Sequence, residues 1–385
     1  MKFFHTADWH LGKLIHGVYM TEDQEFVLNQ FVEAIRLERP DAVIIAGDLY
    51  DRAIPPTEAV DLLNRTLRTI TIDLQTPVFA IAGNHDSPDR IHFGSELMKA
   101  QGLYLAGQFQ YPYDPVELMD EHGKVHIHLI PYADPSVVRY KLKNDDVRSH
   151  DDAMRILVNT IAETMDQEAR HIFVGHAFVT PSGEMEENTS ESERPLSIGG
   201  AEYVNSHYFK HFHYTALGHL HQAHYIREDK IRYAGSPMKY SISEEHHKKG
   251  FYIVELDGQG DITIEKRELK PLHEMRTVEA KLDELLRHEI CADYVFVRLL
   301  DENPVLQPME KIRTVYPNAM HVERVLHKQG KTDTGEAAAS RHQMDDMSLL
   351  KAFYREMRGN ELSDVKQQIF LEVLDEVRER EGGRR

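Results

Sequence analysis

Apolar and polar residues alternate in blocks that predict strands and helices in turn along the first part of the chain. Short apolar runs at residues 1–7, 42–46 and 77–82 predict buried strands. Between these runs, residues 22–37 and 56–74 place apolar side chains at helical spacing. This β-α-β-α-β order predicts an α/β layered domain.

Five further apolar runs predict strands in the middle of the chain. They cover residues 125–130, 171–175, 214–218, 231–234 and 250–256. The last of these runs follow one another with no helical pattern between them. This arrangement predicts a second and more antiparallel sheet.

A change in composition after residue 272 predicts the end of the first domain. Residues 273–327 repeat a β-α-β-α-β pattern and predict a small separate domain, and residues 328–342 are rich in Gly, Ala and Ser and predict a linker. Residues 343–385 predict two helices, at 347–358 and 361–380, with apolar side chains at helical spacing. Because these helices follow a linker, we expect them to bind a partner. The expected partner-binding residues are Leu350, Phe353, Leu362, Ile369, Phe370 and Leu374.

Composition narrows the class of protein. The 385 residues include 45 Lys and Arg against 64 Asp and Glu, a net charge of −19, so the overall electric field repels nucleic acid. Any DNA binding must therefore be local, or aided by metal ions or a partner. The single cysteine, Cys291, excludes an intramolecular disulfide framework. With no apolar run of membrane length and no signal-peptide pattern, we expect a cytoplasmic protein without a membrane segment.

Polar residues with metal-binding chemistry follow five predicted strands at the point where each strand ends. The blocks are Asp8-Trp9-His10, Gly47 to Arg52, Gly83-Asn84-His85-Asp86, Gly175-His176 and Gly218 to His221. Each block alone is a weak signal, since single Asp-x-His and Gly-Asp pairs are common in turns. Their joint occurrence in strand order predicts a metal site, with glycines that permit close backbone approach.

The ligand types suit a pair of divalent cations. Two cations about 3.5–4 Å apart can hold the attacking and leaving oxygens of a displacement at phosphorus, and they make a bound water acidic. Such a pair needs a bridging carboxylate and a mixed set of oxygen and nitrogen ligands. Oxygen ligands suit Mn(II) and imidazoles suit later metals, so the mixture does not select one ion.

The five blocks resemble those of the calcineurin-like metallophosphoesterase superfamily. Residues 192–200 (SERPLSIGG) and 233–245 (YAGSPMKYSISEE) further resemble the bacterial SbcD family of nuclease subunits. The resemblance implies an α/β fold, a two-sheet αββα sandwich over residues 1–272. It also implies a small α/β capping domain that contacts DNA and a C-terminal helical tail.

The same resemblance implies a role for each site residue. Asp8, His10 and His221 would bind one metal ion, Asn84, His176 and His219 the other, and Asp48 would bridge them. His85 would face the substrate phosphate as a catalytic residue, and the carboxylate of Asp51 would orient it. Arg52 is a phosphate-contact candidate by analogy, and Lys13, Arg90 and Arg194 are further local candidates for DNA contact.

The implied function is a Mn(II)-dependent DNA nuclease that acts in DNA repair, recombination and replication. SbcD-type subunits form homodimers within a heterotetramer with the coiled-coil ATPase SbcC, and they degrade duplex ends and open hairpins. A small-molecule phosphodiesterase or phosphatase with the same two-metal core is the first alternative. A non-catalytic scaffold for the ATPase is the second, and the full ligand set with His85 argues against it.

Overall fold

The computed structural model describes residues 1–183, 202–325, 346–358 and 361–382. The chain forms two compact units, Met1–Arg276 and Thr277–Arg385. The motif at residues 192–200 and the expected linker at 328–342 lie outside the described residues. The predicted domain boundaries at residues 272, 327 and 342 stay predictions.

The first unit contains sixteen strands and six α-helices in its described part. The strands are β1 (Lys2–Thr6), β2 (Leu14–Ile15), β3 (Val18–Tyr19), β4 (Ala42–Ile45), β5 (Val78–Ile81), β6 (Leu103–Ala106), β7 (Val116–Asp120), β8 (Gly123–Ile130), β9 (Arg170–His176), β10 (Phe178–Thr180), β11 (Tyr203–Asn205), β12 (Tyr214–Gly218), β13 (His224–Ile226), β14 (Glu228–Tyr233), β15 (Gly250–Leu256) and β16 (Ile262–Glu268). The helices are α1 (Thr21–Glu38), α2 (Thr57–Arg68), α3 (Pro88–His92), α4 (Ser95–Met98), α5 (Pro135–Leu142) and α6 (His150–Thr164).

Two six-stranded sheets form the frame of this unit. The first has the order β16-β15-β1-β4-β5-β6, in which β1, β4, β5 and β6 run parallel and β15 and β16 add antiparallel strands. The second has the order β13-β14-β12-β9-β8-β7, with β8, β9, β12 and β14 parallel. Both sheets thus bring the carboxyl ends of several parallel strands to one edge.

The prediction of a more antiparallel second sheet is wrong. Antiparallel pairing is confined to its edge strands β7 and β13. The reason lies in the connections: α5 and α6 link β8 to β9, and the link from β9 to β12 contains β10 and β11. Such long crossovers allow parallel neighbours without one regular helix per strand.

The core between the two sheets consists of apolar side chains from both. Phe3, Ile44 and Phe79 of the first sheet pack with Ile172 and Tyr214 of the second. These strands are buried on both faces, which explains why they read as continuous apolar runs. The sheets are therefore held as a sandwich, and the predicted α/β fold class is confirmed.

The second unit contains a three-stranded sheet with the order β17 (Met275–Ala280), β18 (Tyr294–Leu299) and β19 (His321–Arg324). Helices α7 (Leu282–Leu285) and α8 (Pro308–Ile312) accompany it, and α9 (Asp346–Arg358) and α10 (Asp364–Gly382) follow. Val295, Val297 and Ile312 are central to its apolar core.

The expected partner-binding residues of the tail differ in exposure. Phe353 and Ile369 are exposed, whereas Leu350, Phe370 and Leu374 are half-buried. Leu362 is buried, and it precedes α10, which begins at Asp364. Leu362 is thus not part of an exposed stripe.

No helix within the described ranges has both the length and the apolar character needed to cross a bilayer.

Candidate metal centre

The ends of five strands carry the predicted ligands to one place. Asp8, Asp48 and Asn84 follow β1, β4 and β5 of the first sheet. His176 ends β9 and His219 follows β12 in the second sheet. Six of the seven predicted ligands are buried and Asn84 is half-buried, so the side chains converge inside the sandwich edge.

The backbone of four predicted ligands is in the left-handed region. The φ angles are 54° at Asp8, 43° at His10, 50° at Asp48 and 106° at His219. Residues with a side chain rarely adopt such angles, and they concentrate at functional sites. The turns after β1, β4 and β12 are therefore shaped for the positions of these side chains.

Glycines allow the loops to approach one another. A Cβ atom at Gly83 would lie 2.1 Å from Oδ1 of Asp48, and one at Gly218 would lie 1.9 Å from the carbonyl oxygen of Ala46. Any larger residue would displace the neighbouring strand end. The predicted role of glycine beside the ligands thus has a steric basis at both positions.

The ligand atoms form two groups that share Asp48. Nε2 of His10 lies 3.1 Å from Nε2 of His221 and 3.5 Å from Oδ2 of Asp48. The same Oδ2 lies 3.5 Å from Nε2 of His176, which is 2.9 Å from Oδ1 of Asn84. A carboxylate between two ligand groups has the geometry of a bridging ligand.

Asp8 and His219 complete this arrangement. The carboxylate of Asp8 lies with His10 and His221 in one set of mutually close ligand atoms, and with Asp48 and His176 in another. The main-chain N–H of His219 donates to Oδ1 of Asp8 at 2.9 Å, and its ring lies 5.4 Å from that of His176. The structure thus brings all seven predicted ligands together.

Two of the four imidazoles, those of His176 and His221, have their orientation set by a hydrogen-bond partner at Nδ1. His176 donates Nδ1–H to the carbonyl oxygen of Ala46 at 2.9 Å, and His221 donates to Oε1 of Glu244 at 3.0 Å. Nε2 of both rings consequently faces the centre, as metal-binding histidines require. Nδ1 of His10 is buried and has no hydrogen-bond partner within the described residues. Nε2 of His10 is the atom that faces His221 and Asp48, and Nδ1 lies on the other side of the ring, toward Asp51.

Burial and charge raise the pKa values of two of the predicted ligands, Asp8 and His176, and a nearby cation would oppose both shifts. Burial raises the pKa of Asp8 to about 7. Burial alone would lower the pKa of His176, but the carboxylates of Asp48 and Asp8 raise it to about 9. Without a cation, a proton therefore holds His176 against its acidic neighbours. A divalent ion would replace that proton and stabilise the charged carboxylates, so the residues present fit two bound metal ions.

His85 is held at the rim of the centre. Its Nδ1–H donates to the main-chain carbonyl oxygen of Asp51 at 2.8 Å. This corrects the expectation that the carboxylate of Asp51 orients His85. That carboxylate instead lies 2.8 Å from Nζ of Lys13 and 3.7 Å from Nδ1 of His10. The main chain can fix the His85 tautomer equally well, because a carbonyl oxygen only accepts.

The candidates for DNA contact divide into three cases. Arg52 and Arg90 are exposed and make no ion pair with the residues that the structure describes. Lys13 is largely buried and paired with Asp51. The carboxylate offsets its positive charge, so the pair has little net attraction for a phosphate. Arg194 lies outside the described residues.

Two supporting groups were quoted in the sequence blocks without a role. Asp86 is buried, and its carboxylate accepts from the main-chain N–H groups of Leu49, Tyr50 and Gly83 at 2.9–3.0 Å, joining the loops after β4 and β5. Glu244 lies in the 233–245 motif, and Lys249, four residues beyond the motif, is buried beside it. The only signal in the sequence was their position within or next to a family-like block.

Comparison with known proteins identifies the family. The model of the calcineurin-like phosphoesterase family matches residues 1–223. A second model, described as the type 5 capsule protein repressor C-terminal domain, matches residues 271–358. The D subunit of the nuclease SbcCD from Staphylococcus epidermidis is 32% identical over 386 residues, covering 99% of this chain and 100% of the relative.

Two solved structures show weaker similarity. A protein from Thermus thermophilus is 13% identical with a TM-score of 0.38, covering 70% of this chain and 99% of that one. A dimetal phosphatase from Danio rerio is 13% identical with a TM-score of 0.38, covering 71% and 98%. Both scores are too low to support a conclusion. The family models and the full-length relative suffice, and they show that the chain belongs to the calcineurin-like phosphoesterase family, as an SbcD-type metal-dependent phosphodiester hydrolase.

Proposed function

We propose that the chain is a DNA nuclease that uses two Mn(II) ions to hydrolyse phosphodiesters. It would act as an exonuclease on duplex ends and as an endonuclease on single strands and hairpins. The observation that supports this most directly is the buried carboxylate of Asp48, whose Oδ2 lies 3.5 Å from both His10 and His176. One bridging carboxylate between two imidazole groups is the arrangement that a two-metal hydrolase needs.

The side chains of the site have two proposed roles, metal binding and proton transfer to the substrate. The two cations, when bound, would supply Lewis acidity toward water and the phosphoryl oxygens. Asp8, Asp48, Asn84 and the four histidines hold them. His85 would act on the substrate: its Nδ1–H is engaged by the Asp51 carbonyl, so the imidazolium form has its second proton on Nε2 and can give it to the leaving oxygen.

The main-chain N–H of His85 also donates to Oδ1 of Asp48 at 2.9 Å. The general acid and the bridging ligand are thus held in one hydrogen-bonded loop. A substrate phosphate over Asp48 would therefore lie within reach of His85. This coupling favours positioning as a main source of rate enhancement.

The wider assembly follows from the SbcD-type sequence. We propose that the tail helices bind a coiled-coil ATPase of the SbcC type, and that two copies of this chain form a homodimer within the heterotetramer. The exposed Phe353 and Ile369 support the first part. DNA repair, recombination and replication are the proposed cellular roles, and a cytoplasmic location stays a prediction.

A nuclease assay with His85→Gln tests the proposed chemistry. End-labelled blunt duplex and hairpin DNA would be incubated with purified protein in Mn(II) and in EDTA. We expect Mn(II)-dependent cleavage by the wild type and a loss of about 10²–10⁴-fold in the variant, the range for a general acid. Calorimetric titration should show that the variant still binds two Mn(II) ions.

His122→Gln is the matched control, because His122 is exposed and lies in the β7–β8 turn. It should keep wild-type cleavage. Loss of metal from His85→Gln, or full activity, would contradict the role of His85. Turnover of bis-p-nitrophenyl phosphate without cleavage of any DNA would favour the alternative, a small-molecule phosphodiesterase.

A further inference from the structure

A buried ion pair lies directly behind one of the predicted metal ligands. Glu244 and Lys249 belong to the segment between β14 and β15, which includes the 233–245 motif. Glu244 is fully buried and the Lys249 side chain is 5% exposed. Neither residue is among the ligands, and the proposed reaction gives them no step.

The pair contacts His221 twice. Oε1 of Glu244 accepts from Nδ1–H of His221 at 3.0 Å, and Oε2 accepts from Nζ of Lys249 at 2.5 Å. Nζ of Lys249 also donates to the main-chain carbonyl oxygen of His221 at 2.9 Å and to Oγ of Ser236 at 2.8 Å. Both the ring and the backbone of His221 are therefore held by the same two charges.

Stability alone is a poor reason for this arrangement. Removing two charges from water is unfavourable, and a buried ion pair is often no more stabilising than apolar side chains of similar volume. Satisfying a buried imidazole would also need only one neutral acceptor. A charged acceptor behind a metal-binding histidine, by contrast, fixes its tautomer and makes Nε2 a stronger donor to the metal.

The side chain of Tyr240 in the same segment and that of Gln24 on α1 support the neighbouring ligand, His10. The hydroxyl of Tyr240 donates to the carbonyl oxygen of Trp9, next to His10, and Gln24 donates to the carbonyl oxygen of His10 at 2.7 Å. The ring of Tyr240 also lies 5.5 Å from that of His10, so residues 234–249 contact both histidines that are predicted to bind the first metal ion.

We propose that Glu244 and Lys249 are positioning residues that set the orientation and donor strength of His221 toward the first metal ion. Lys249 neutralises Glu244 and fixes its carboxylate, and Glu244 in turn fixes the imidazole. The inference rests on the proposed two-metal site. It adds that the two ions are bound unequally, since His221 of the first site has a buried ion pair behind it, whereas His176 of the second donates to the neutral carbonyl oxygen of Ala46.

Three variants of the full-length protein separate this role from a purely structural one. Glu244→Gln keeps size and an acceptor but removes the negative charge beside Lys249, and Lys249→Met removes the positive charge beside Glu244. The double variant removes both charges. Two quantities would be measured for each: the free energy of unfolding in EDTA with urea, and the two Mn(II) dissociation constants by calorimetry.

We expect both single variants to lose stability and the double variant to regain most of it, because no uncompensated charge remains in the interior. Mn(II) affinity should behave differently. In the double variant one dissociation constant should stay about 10–100-fold weaker, the usual effect of losing such a supporting group, while the other is unchanged.

Asp120→Asn is the matched control. Asp120 pairs with Arg170 at the opposite end of β1, where it also binds the amino group of Met1 at 3.0 Å. It should lower stability and leave both dissociation constants unchanged. A stable double variant with wild-type affinity at both sites would overturn the inference. Failure of the wild type to bind two Mn(II) ions would instead contradict the proposed function.

Discussion

At the scale of single residues, the metal centre depends on backbone conformations that are unfavourable by themselves. Asp8, His10, Asp48 and His219 all have positive φ angles, and such strain costs about 1–3 kcal/mol per residue. Hydrogen bonds hold the turns: the N–H of Asp8 donates to Gly47 and that of His10 to Asp48, both at 3.0 Å. The rest of the fold offsets this strain.

A second group of histidines is buried away from the centre, on β8 and β9. His128 accepts from the hydroxyl of Tyr113, and its Nε2 lies 2.9 Å from Nδ1 of His171. His171 in turn donates Nε2–H to the carbonyl oxygen of Asp166 at 2.9 Å. Neutral rings with the proton on Nε2 satisfy all of these bonds, and burial favours the neutral form by lowering the pKa of both histidines.

The buried, neutral His128 predicts that the folded protein loses stability as the pH falls. Burial lowers the pKa of His128 from its usual value of 6.5 to about 3. As pH falls below 6.5, the unfolded chain binds a proton at this residue that the folded chain does not, so stability decreases until about pH 3. We expect His128→Gln, whose amide can replace both bonds, to reduce the slope of unfolding free energy against pH by about 1.4 kcal/mol per pH unit between about pH 6 and 4.

Urea unfolding in EDTA at several pH values would measure that slope. His246→Gln is the control, because its imidazole is 91% exposed in the folded chain and meets solvent in both states. It should keep the wild-type slope. Equal slopes for wild type and His128→Gln would show that His128 is protonated in the folded protein.

At the scale of elements, the positions of strand ends could be predicted because each apolar run stops at a polar block. That regularity located Asp8, Asp48 and His176 from the sequence alone. Helix α6 was missed, although Ser149 caps it and Leu157 and Ile161 are buried on one face, since its first turn is polar. The direction of the second sheet was also missed, because direction depends on how connections cross and not on any local pattern.

The supporting groups could not be predicted for a related reason. Glu244 and His221 are 23 residues apart and meet only through the turn that follows β14. Lys249 follows His246, His247 and Lys248, a run that is typical of a solvated turn. Lys249 can be buried because it forms an ion pair with Glu244, and this pair exists only in the folded chain.

The exposed apolar side chains of the tail helices α9 and α10 predict a binding surface for the ATPase. Phe353 on α9 and Ile369 on α10 are 59% and 55% exposed, large apolar surfaces that a partner helix can cover. We expect deletion of residues 343–385 to abolish binding to the coiled-coil ATPase, and the double variant Phe353→Ser/Ile369→Ser to weaken it strongly. Mn(II)-dependent cleavage of short single-stranded DNA should remain.

A pull-down with the purified ATPase would measure binding of each variant. Met119→Ser removes an equally exposed apolar side chain from β7 in the first unit and should bind like the wild type. Retention of the ATPase by the truncated protein would assign the interface to another part of the chain.

At the scale of the whole molecule, charge limits how the protein meets both DNA and a second copy of itself. With a net charge of −19, it has no general attraction for a polyanion. Many of its basic groups are engaged in ion pairs, as Lys13 and Lys249 show. We therefore expect affinity for DNA to come from the cations, from a few exposed groups such as Arg52 and Arg90, and from the proposed ATPase partner.

The same net negative charge restricts the kind of surface through which two copies could form a homodimer. Two copies repel each other over most of their surface, so contact needs an apolar face. One such face lies along α2, α3 and α4, where Phe93 and Leu97 are each 82% exposed and Ile54 is 70% exposed. These helices border a cavity of about 540 Å³ that is lined mainly by apolar side chains. A patch of this kind on an acidic protein is typical of a protein–protein interface.

We therefore expect Phe93→Ser/Leu97→Ser to convert the proposed dimer to a monomer, because both copies would lose the same side chains across a two-fold axis. Size-exclusion chromatography with light scattering, at several protein concentrations, would measure the mass. Leu37→Ser on α1 is the control, since Leu37 is 72% exposed and lies on another helix, and it should remain dimeric. A monomeric wild type would contradict the homodimer itself, whereas a double variant that stays dimeric would place the interface elsewhere on the molecule.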